Sequence, residues 1–144
     1  MAEPQMGRQQ VCATGDVILI EDDMSVRTAL ERILRSAGYR VVALDCGDAL
    51  LDGSRPLRAN DLCIVCDIRL PRVSGFELHN RLTAQGATPP WIFITGHDDA
   101  AVRKQAERLG SGYLPKPFEA RELLALIAAL ATALVTGKAQ TPKG

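Results

Sequence analysis

Apolar residues in this chain fall either in short unbroken runs or at helically spaced positions. The clearest runs are VILI at 17–20, LCIVC at 62–66 and WIFI at 91–94, each bounded by polar residues. Wholly apolar runs of this length are typical of strands buried on both faces of a parallel sheet. Two shorter segments, 40–44 and 112–114, bring the number of predicted strands to five.

Between these runs the apolar residues recur every three or four positions, which predicts amphipathic helices. Val26, Leu30, Ile33 and Leu34 set this pattern after the first strand, and Gly38 ends it. The other helices are predicted at 48–53, 76–86, 99–109 and 118–136. Strands that alternate with helices through short loops predict an α/β fold, a doubly wound parallel sheet with helices on both faces. Periodicity alone gives no strand order, so the order 2-1-3-4-5 is taken from known folds of this class.

Length and charge set limits on what the chain does. With 144 residues it is long enough for one domain with a substantial core, and its 17 basic and 17 acidic residues balance. We expect a flexible lead-in over 1–15, the domain over 16–136, and a polar tail without an output domain over 137–144. The longest apolar stretch, 123–135, is too short to span a bilayer. A cytoplasmic protein that binds neither membrane nor nucleic acid directly is therefore expected.

The cysteines give little indication of chemistry. Cys63 and Cys66 form a C-x-x-C pair, but residues three apart in a strand point to opposite faces of the sheet. We therefore interpret both as small buried apolar residues and not as metal ligands. Cys12 and Cys46 have no assigned role.

Side chains that can carry chemistry follow four of the predicted strands. Glu21 and Asp22 follow the first strand, Asp67 the third, Thr95 the fourth and Lys116 the fifth. Because the carboxyl ends of parallel strands meet at one edge of a sheet, we expect these side chains to converge. Carboxylates without His or Cys favour a hard cation such as Mg²⁺. A cation, an ammonium and a hydroxyl around one carboxylate suit phosphoryl transfer to Asp67.

Each of these residues also has a structural interpretation. Acids after a strand often cap the next helix, as we expect of Asp23, and Asp67 could likewise begin a turn. Thr95 could cap the fourth helix, Lys116 could be a solvated cation, and Tyr113 could serve packing alone. The functional interpretation is favoured because four separate strand ends supply groups that suit one reaction.

Four motifs occur in order along the domain: LIEDD at 19–23, CDIRLPRVSG at 66–75, FITG at 93–96 and LPKPF at 114–118. Together they resemble the receiver domain of bacterial two-component response regulators, in order and in spacing. The R-x-P-x-x-S-G and T-G-H segments are most similar to the subgroup of nitrogen-fixation and LuxR-type regulators. The resemblance implies a flavodoxin-like (βα)5 fold and a phosphoacceptor function.

The resemblance also implies a metal site. Asp67 would be the phosphoacceptor and a Mg²⁺ ligand, Asp22 a direct ligand, and Glu21 a partner acting mainly through water. Arg69 would supply a backbone carbonyl. The alternative register would use Asp22 and Asp23, and we prefer Glu21 and Asp22 because the residues at 26–27 then fall at the family's spacing.

The remaining implied roles concern catalysis and switching. Thr95 and Lys116 would contact the phosphoryl group, with a cis peptide bond after Lys116 placing its ammonium. Thr95 and Tyr113 would form the switch. Arg69 and His97 would occupy the two variable positions that influence how long the phosphoryl group survives.

As a whole, the resemblance implies a domain that takes a phosphoryl group from a sensor histidine kinase and loses it slowly by itself, without acting on external substrates. The face made by helix four, strand five and helix five would then repack and could support a homodimer. Three alternatives remain open: a receiver fragment of a longer DNA-binding transcriptional regulator, an unphosphorylated receiver-like interaction module, and a metal-dependent phosphohydrolase. Against the last, Arg69 stands where such an enzyme would carry a second acid.

Overall fold

The computed structural model describes residues 15–109 and 112–140, and residues 134–140 by their backbone only. The predicted lead-in therefore lies almost wholly outside the described residues, as do Cys12 and residues 141–144. Within the described residues, no helix combines the length and the apolar character needed to cross a membrane.

Five parallel strands form a single sheet in the order β2-β1-β3-β4-β5, which confirms the predicted class and strand order. The strands are β1 (Asp16–Ile20), β2 (Arg40–Leu44), β3 (Cys63–Asp67), β4 (Trp91–Thr95) and β5 (Gly112–Pro115). The helices that connect and follow them are α1 (Met24–Ser36), α2 (Asp48–Leu51), α3 (Gly75–Gln85), α4 (Ala100–Arg108) and α5 (Ala120–Gln140).

Alternate residues of the central strands feed two apolar cores, one on each face of the sheet. Val17 and Leu19 of β1 pack with residues of α1 and α5, whereas Ile18 and Ile20 pack with residues of α3. This two-sided burial explains why the central strands appear in the sequence as continuous apolar runs. Cys63 lies in the first core and Cys66 in the second, which confirms that the two thiols face opposite ways.

Helix starts follow from side-chain caps. The Asp23 carboxylate accepts a hydrogen bond from the Val26 N–H at 3.0 Å, which confirms its expected capping role. Asp99 caps α4 in the same way through Val102, at 2.8 Å, so Thr95 is not the cap of that helix. Ser74 caps α3 and places its first turn directly after the β3–α3 loop.

Helix α5 differs from its predicted bounds at both ends. Phe118 packs against the first core ahead of the helix, which begins at Ala120. At the other end the helix continues through Gly137 to Gln140, into the segment expected to be a tail. Glycine inside a helix costs only about 1 kcal/mol relative to alanine, so the surrounding Ala- and Leu-rich sequence continues across it.

Candidate functional site

Three carboxylates meet at the carboxyl edge of the sheet. Asp67 is the last residue of β3, and Glu21 directly follows β1, which pairs with β3 in parallel register. Oxygen atoms of Glu21, Asp22 and Asp67 all lie within 4.8 Å of one another. Glu21 and Asp67 are only 1% and 5% exposed, whereas Asp22 is open to solvent. Asp23 is occupied as the α1 cap, so this geometry favours the Glu21–Asp22 register over the alternative.

One ammonium lies among these carboxylates. Lys116, in the loop after β5, donates from Nζ to Glu21 Oε1 and to Asp67 Oδ2, at 3.1 Å each. Its own N–H donates to the Thr95 carbonyl at 2.7 Å, which fixes this loop to the end of β4. The Lys116–Pro117 peptide bond is cis, as expected. Lys116 is therefore not a free surface cation but a bridge between two strand ends.

The charges of the four converging side chains do not balance. Burial raises the pKa of Glu21, and the charge of Asp67 raises it further, against the opposing hydrogen bonds from the Asp23 N–H and Lys116. Burial works to lower the pKa of Lys116, but its bonds to Asp67 and Glu21 outweigh burial and raise it overall. Among the four side chains, three carboxylates face one ammonium. An additional cation would relieve this repulsion, and an all-oxygen donor set suits a hard ion such as Mg²⁺.

The Asp67 carboxylate is held on both sides. Its Oδ1 accepts from the Arg69 N–H at 3.0 Å, while Oδ2 accepts from Lys116. The Arg69 side chain is exposed, and its predicted role as a carbonyl ligand stays a prediction. A Cβ on Gly75 would come within 2.7 Å of the Asp67 carbonyl oxygen, so glycine lets α3 begin against the end of β3. Gly75 was identified from the sequence only as the last residue of the R-x-P-x-x-S-G segment, and this close approach was not predicted.

Thr95 and Tyr113 lie on the β4 and β5 side of the carboxylates. Thr95 is fully buried, and its hydroxyl oxygen accepts from the His97 N–H at 3.0 Å. Tyr113 is half-buried, and its hydroxyl donates to Asp98 Oδ1 at 2.8 Å. His97 itself is exposed. The structure thus brings Glu21, Asp22, Asp67 and Lys116 together, joins Thr95 to them through the Lys116 backbone, and leaves Tyr113 bonded to the β4–α4 loop.

Comparison with known proteins agrees with this geometry. A family model described as the response regulator receiver domain matches residues 17–128. The chain belongs to this family. The receiver domain is 38% identical over 114 residues to the transcriptional regulatory protein FixJ of Bradyrhizobium diazoefficiens, covering 78% of this chain and 55% of FixJ. It is 35% identical over 126 residues to nodulation protein W of the same species, covering 87% of this chain and 55% of that protein.

Solved structures of response regulators share the fold of this receiver domain. The response regulator StyR superposes with a TM-score of 0.75 at 39% identity, over 91% of this chain and 65% of StyR. The FixJ-N structure superposes with a TM-score of 0.73 at 29% identity, over 82% of this chain and 94% of its own. The receiver domain spans about half the length of the two curated relatives, FixJ and nodulation protein W.

Two other groups of residues in the receiver domain were missed from the sequence. Asp98 and Arg103 contact Tyr113 at the surface. Asp61 is a buried acid beside Arg55, at the amino edge of the sheet. A signal existed only for Asp61, a polar residue immediately before a wholly apolar run, and nothing in the spacing pointed to its partner.

Proposed function

We propose that Asp67 takes a phosphoryl group from the phosphohistidine of a sensor histidine kinase and carries it as an aspartyl phosphate. An Asp67 carboxylate oxygen attacks phosphorus, the P–N bond to the kinase imidazole breaks, and the bond electrons return to that imidazole. The observation that carries this proposal is Lys116, whose ammonium bridges Glu21 and Asp67 at 3.1 Å each. This ammonium stabilises the negative charge on the transferring phosphoryl oxygens.

Glu21, Asp22 and Asp67 would hold Mg²⁺, with the Arg69 carbonyl as a further ligand, and the ion would neutralise phosphoryl charge. The Arg69 N–H restrains one oxygen of the Asp67 carboxylate, and the neighbouring Asp22 is exposed to solvent. Thr95 offers its hydroxyl to a phosphoryl oxygen after transfer, which requires it to leave the His97 N–H. Water later hydrolyses the aspartyl phosphate slowly, so the domain carries a signal and does not turn over external substrates.

The consequence of phosphorylation would be a change of the α4–β5–α5 face. With Thr95 drawn toward the phosphoryl group, Tyr113 turns inward and the face repacks. We propose that this face then supports a homodimer. Sedimentation analysis with and without the phosphoryl mimic beryllofluoride checks this, and an unchanged monomer would contradict it. The cytoplasmic location stays a prediction.

A Phos-tag gel after incubation with acetyl phosphate and Mg²⁺ tests the central proposal. Asp45→Ala is a matched control, because Asp45 is an exposed acid that directly follows β2 at the same edge. Wild type and Asp45→Ala should show a retarded band, and Asp67→Ala should not. Equal retardation of Asp67→Ala would overturn the assignment. No retardation of wild type, even with the cognate kinase, would favour an unphosphorylated interaction module.

A second candidate is that this receiver works within a longer DNA-binding transcriptional regulator. It is favoured because the chain matches only about half of the length of relatives that are named as transcriptional regulatory proteins. Residues 16–136 would then be the receiver, and 137–144 the start of a connection. Sequencing the full gene tests this candidate, and the absence of a downstream DNA-binding domain would exclude it.

A further inference from the structure

Tyr113 is held at the surface by two charged residues of the neighbouring loop and helix. Its hydroxyl donates to Asp98 Oδ1 at 2.8 Å. Arg103 of α4 donates from Nη2 to both oxygens of the same carboxylate, at 3.0 and 3.1 Å. The Arg103 guanidinium also lies over the Tyr113 ring, 5.0 Å from its centroid, in cation–π geometry. The three residues, which we call the Tyr113 latch, thus make a closed set of contacts.

The Tyr113 latch is adjacent in sequence to a hydrogen bond made by Thr95. Thr95 Oγ1 accepts from the His97 N–H, and Asp98 follows His97 directly in the β4–α4 loop. This bond restrains the loop segment that presents Asp98 to Tyr113. A Thr95 hydroxyl that turned toward a phosphoryl group on Asp67 would release the His97 N–H, and the loop would lose that restraint.

We propose that Asp98 and Arg103 are positioning residues that hold Tyr113 outward in the unphosphorylated state, and that the Thr95–His97 hydrogen bond couples their release to phosphorylation. This inference rests on the function proposed for Asp67. It assigns to this chain a restraint that must be broken before the α4–β5–α5 face changes. The latch therefore lowers the affinity for phosphoryl groups, because part of their binding free energy is used to open it.

The environment of the Tyr113 hydroxyl agrees with this arrangement. Burial and the bond to Asp98 raise the pKa of Tyr113 to about 12, so the hydroxyl stays protonated and available as a donor at any physiological pH. The donor also distinguishes tyrosine from phenylalanine at this position. A phenylalanine would keep the ring and its contact with Arg103 but could not donate to Asp98.

The test measures beryllofluoride affinity with Mg²⁺ in wild type, Tyr113→Phe, Asp98→Ala and Arg103→Gln. Lys104→Gln is the matched control, since Lys104 is an exposed cation next to Arg103 on the same helix. Exposed hydrogen bonds and ion pairs are worth a factor of about three to ten in an equilibrium, so each latch variant should bind beryllofluoride about three- to tenfold more tightly. The control should match wild type.

A double variant shows whether the residues act as one unit. Asp98→Ala combined with Tyr113→Phe should bind no more tightly than the better single variant, because both break the same hydrogen bond. Ring resonances of Tyr113, one of only two tyrosines in the chain, should shift in Asp98→Ala without beryllofluoride.

Unchanged affinities in all latch variants, with wild type still binding beryllofluoride, would overturn the latch and leave the phosphoacceptor proposal intact. Additive effects in the double variant would also overturn it, since the residues would then act separately. If wild type failed to bind beryllofluoride and Asp67→Ala behaved identically, the proposed function itself would fail.

Discussion

Each edge of the sheet contains a deeply buried acid, but the two edges differ in how these acids are paired with cations. At the amino edge, Asp61 is 3% exposed, comparable with Asp67 at 5% on the carboxyl edge. Both Asp61 oxygens accept from the Arg55 guanidinium, at 2.9 and 3.1 Å, and one also accepts from the Arg58 N–H at 2.7 Å. Both oxygens of this buried acid therefore have a cationic partner.

Among the described side chains that form ion pairs, three guanidiniums meet two acids at the amino edge, whereas one ammonium meets the three clustered carboxylates at the carboxyl edge. Asp16 and Asp61 contact the guanidiniums of Arg40, Arg55 and Arg58. Hydrogen bonding to Asp61 is the main cause that raises the pKa of Arg55, as expected for a satisfied pair. Burial of acids therefore does not by itself indicate a reaction site. The indication is burial together with too few cations.

Replacing Lys116 by methionine should have the largest effect, because it removes the ammonium from the carboxyl edge. The rate of phosphorylation by acetyl phosphate should fall by about 10²- to 10³-fold, the usual cost of removing one preorganised charge-stabilising donor. Stopped-flow or gel-based rates at saturating Mg²⁺ measure this. Lys104→Met, an exposed cation on α4, is the control and should keep the wild-type rate. A loss below threefold for Lys116→Met would mean that Lys116 is only a structural bridge.

Replacing Asp61 by asparagine should break the buried ion pair at the amino edge and lower the unfolding free energy. The Arg55 guanidinium side chain, 12% exposed, would lose its main carboxylate partner, and breaking a buried pair from one side costs about 3 kcal/mol of unfolding free energy. Urea denaturation monitored by the fluorescence of Trp91, the single tryptophan, measures this. The phosphorylation rate should stay near wild type under native conditions, since the site lies at the other edge.

The same substitution at Asp67, to asparagine, should raise the unfolding free energy, whereas at Asp61 it lowers it. Asp67→Asn removes one of the repelling carboxylates, while Lys116 keeps Glu21 as its partner. We expect the metal-free protein to gain about 1 kcal/mol of unfolding free energy, as is common when a functional residue under electrostatic strain is replaced. Denaturation in EDTA measures this gain. Mg²⁺ should then stabilise wild type more than the variant, and destabilisation of Asp67→Asn in EDTA would contradict the contrast between the edges.

How much of this was predictable from the sequence depends on whether the signal is local. The apolar runs located the strands, and a chain-wide strand order then brought Glu21, Asp67 and Lys116 to one edge. Glycine and acid positions located most helix ends, apart from α5, where a single Gly137 did not stop the helix. The match to known folds, not periodicity, supplied the order.

Contacts between side chains that are distant in the sequence could not be predicted from it. Asp16 and Arg55 are 39 residues apart, and Asp98 and Tyr113 are 15 apart. No periodic pattern encodes such pairs, because exposed and half-buried charges can choose among several partners until the backbone is fixed. The satisfied amino edge and the Tyr113 latch were therefore visible only in the structure.

The smallest predicted effect concerns the pH dependence of stability, and it is measured by unfolding and not by activity. The pKa of Glu21 is raised in the folded state above its ordinary value of 4.5, by burial first and by Asp67 second. The folded state thus holds this proton more tightly than the unfolded state. Its contribution to stability is full below about pH 4.5 and is lost as pH rises through the folded-state pKa.

Glu21→Gln removes this titration and provides the measurement. In EDTA, the unfolding free energy of Glu21→Gln minus that of wild type should increase as pH rises from about 4.5 toward about 8. The difference should shrink when Mg²⁺ is added, because the ion binds the ionised carboxylates of wild type and favours its folded state.

Asp16→Asn at the amino edge is the control. It should be destabilised, because that edge already has its cations, and added Mg²⁺ should not change the difference. A flat or falling difference for Glu21→Gln would mean that the carboxyl edge is as well compensated as the amino edge, and the contrast between the two edges would no longer identify the site.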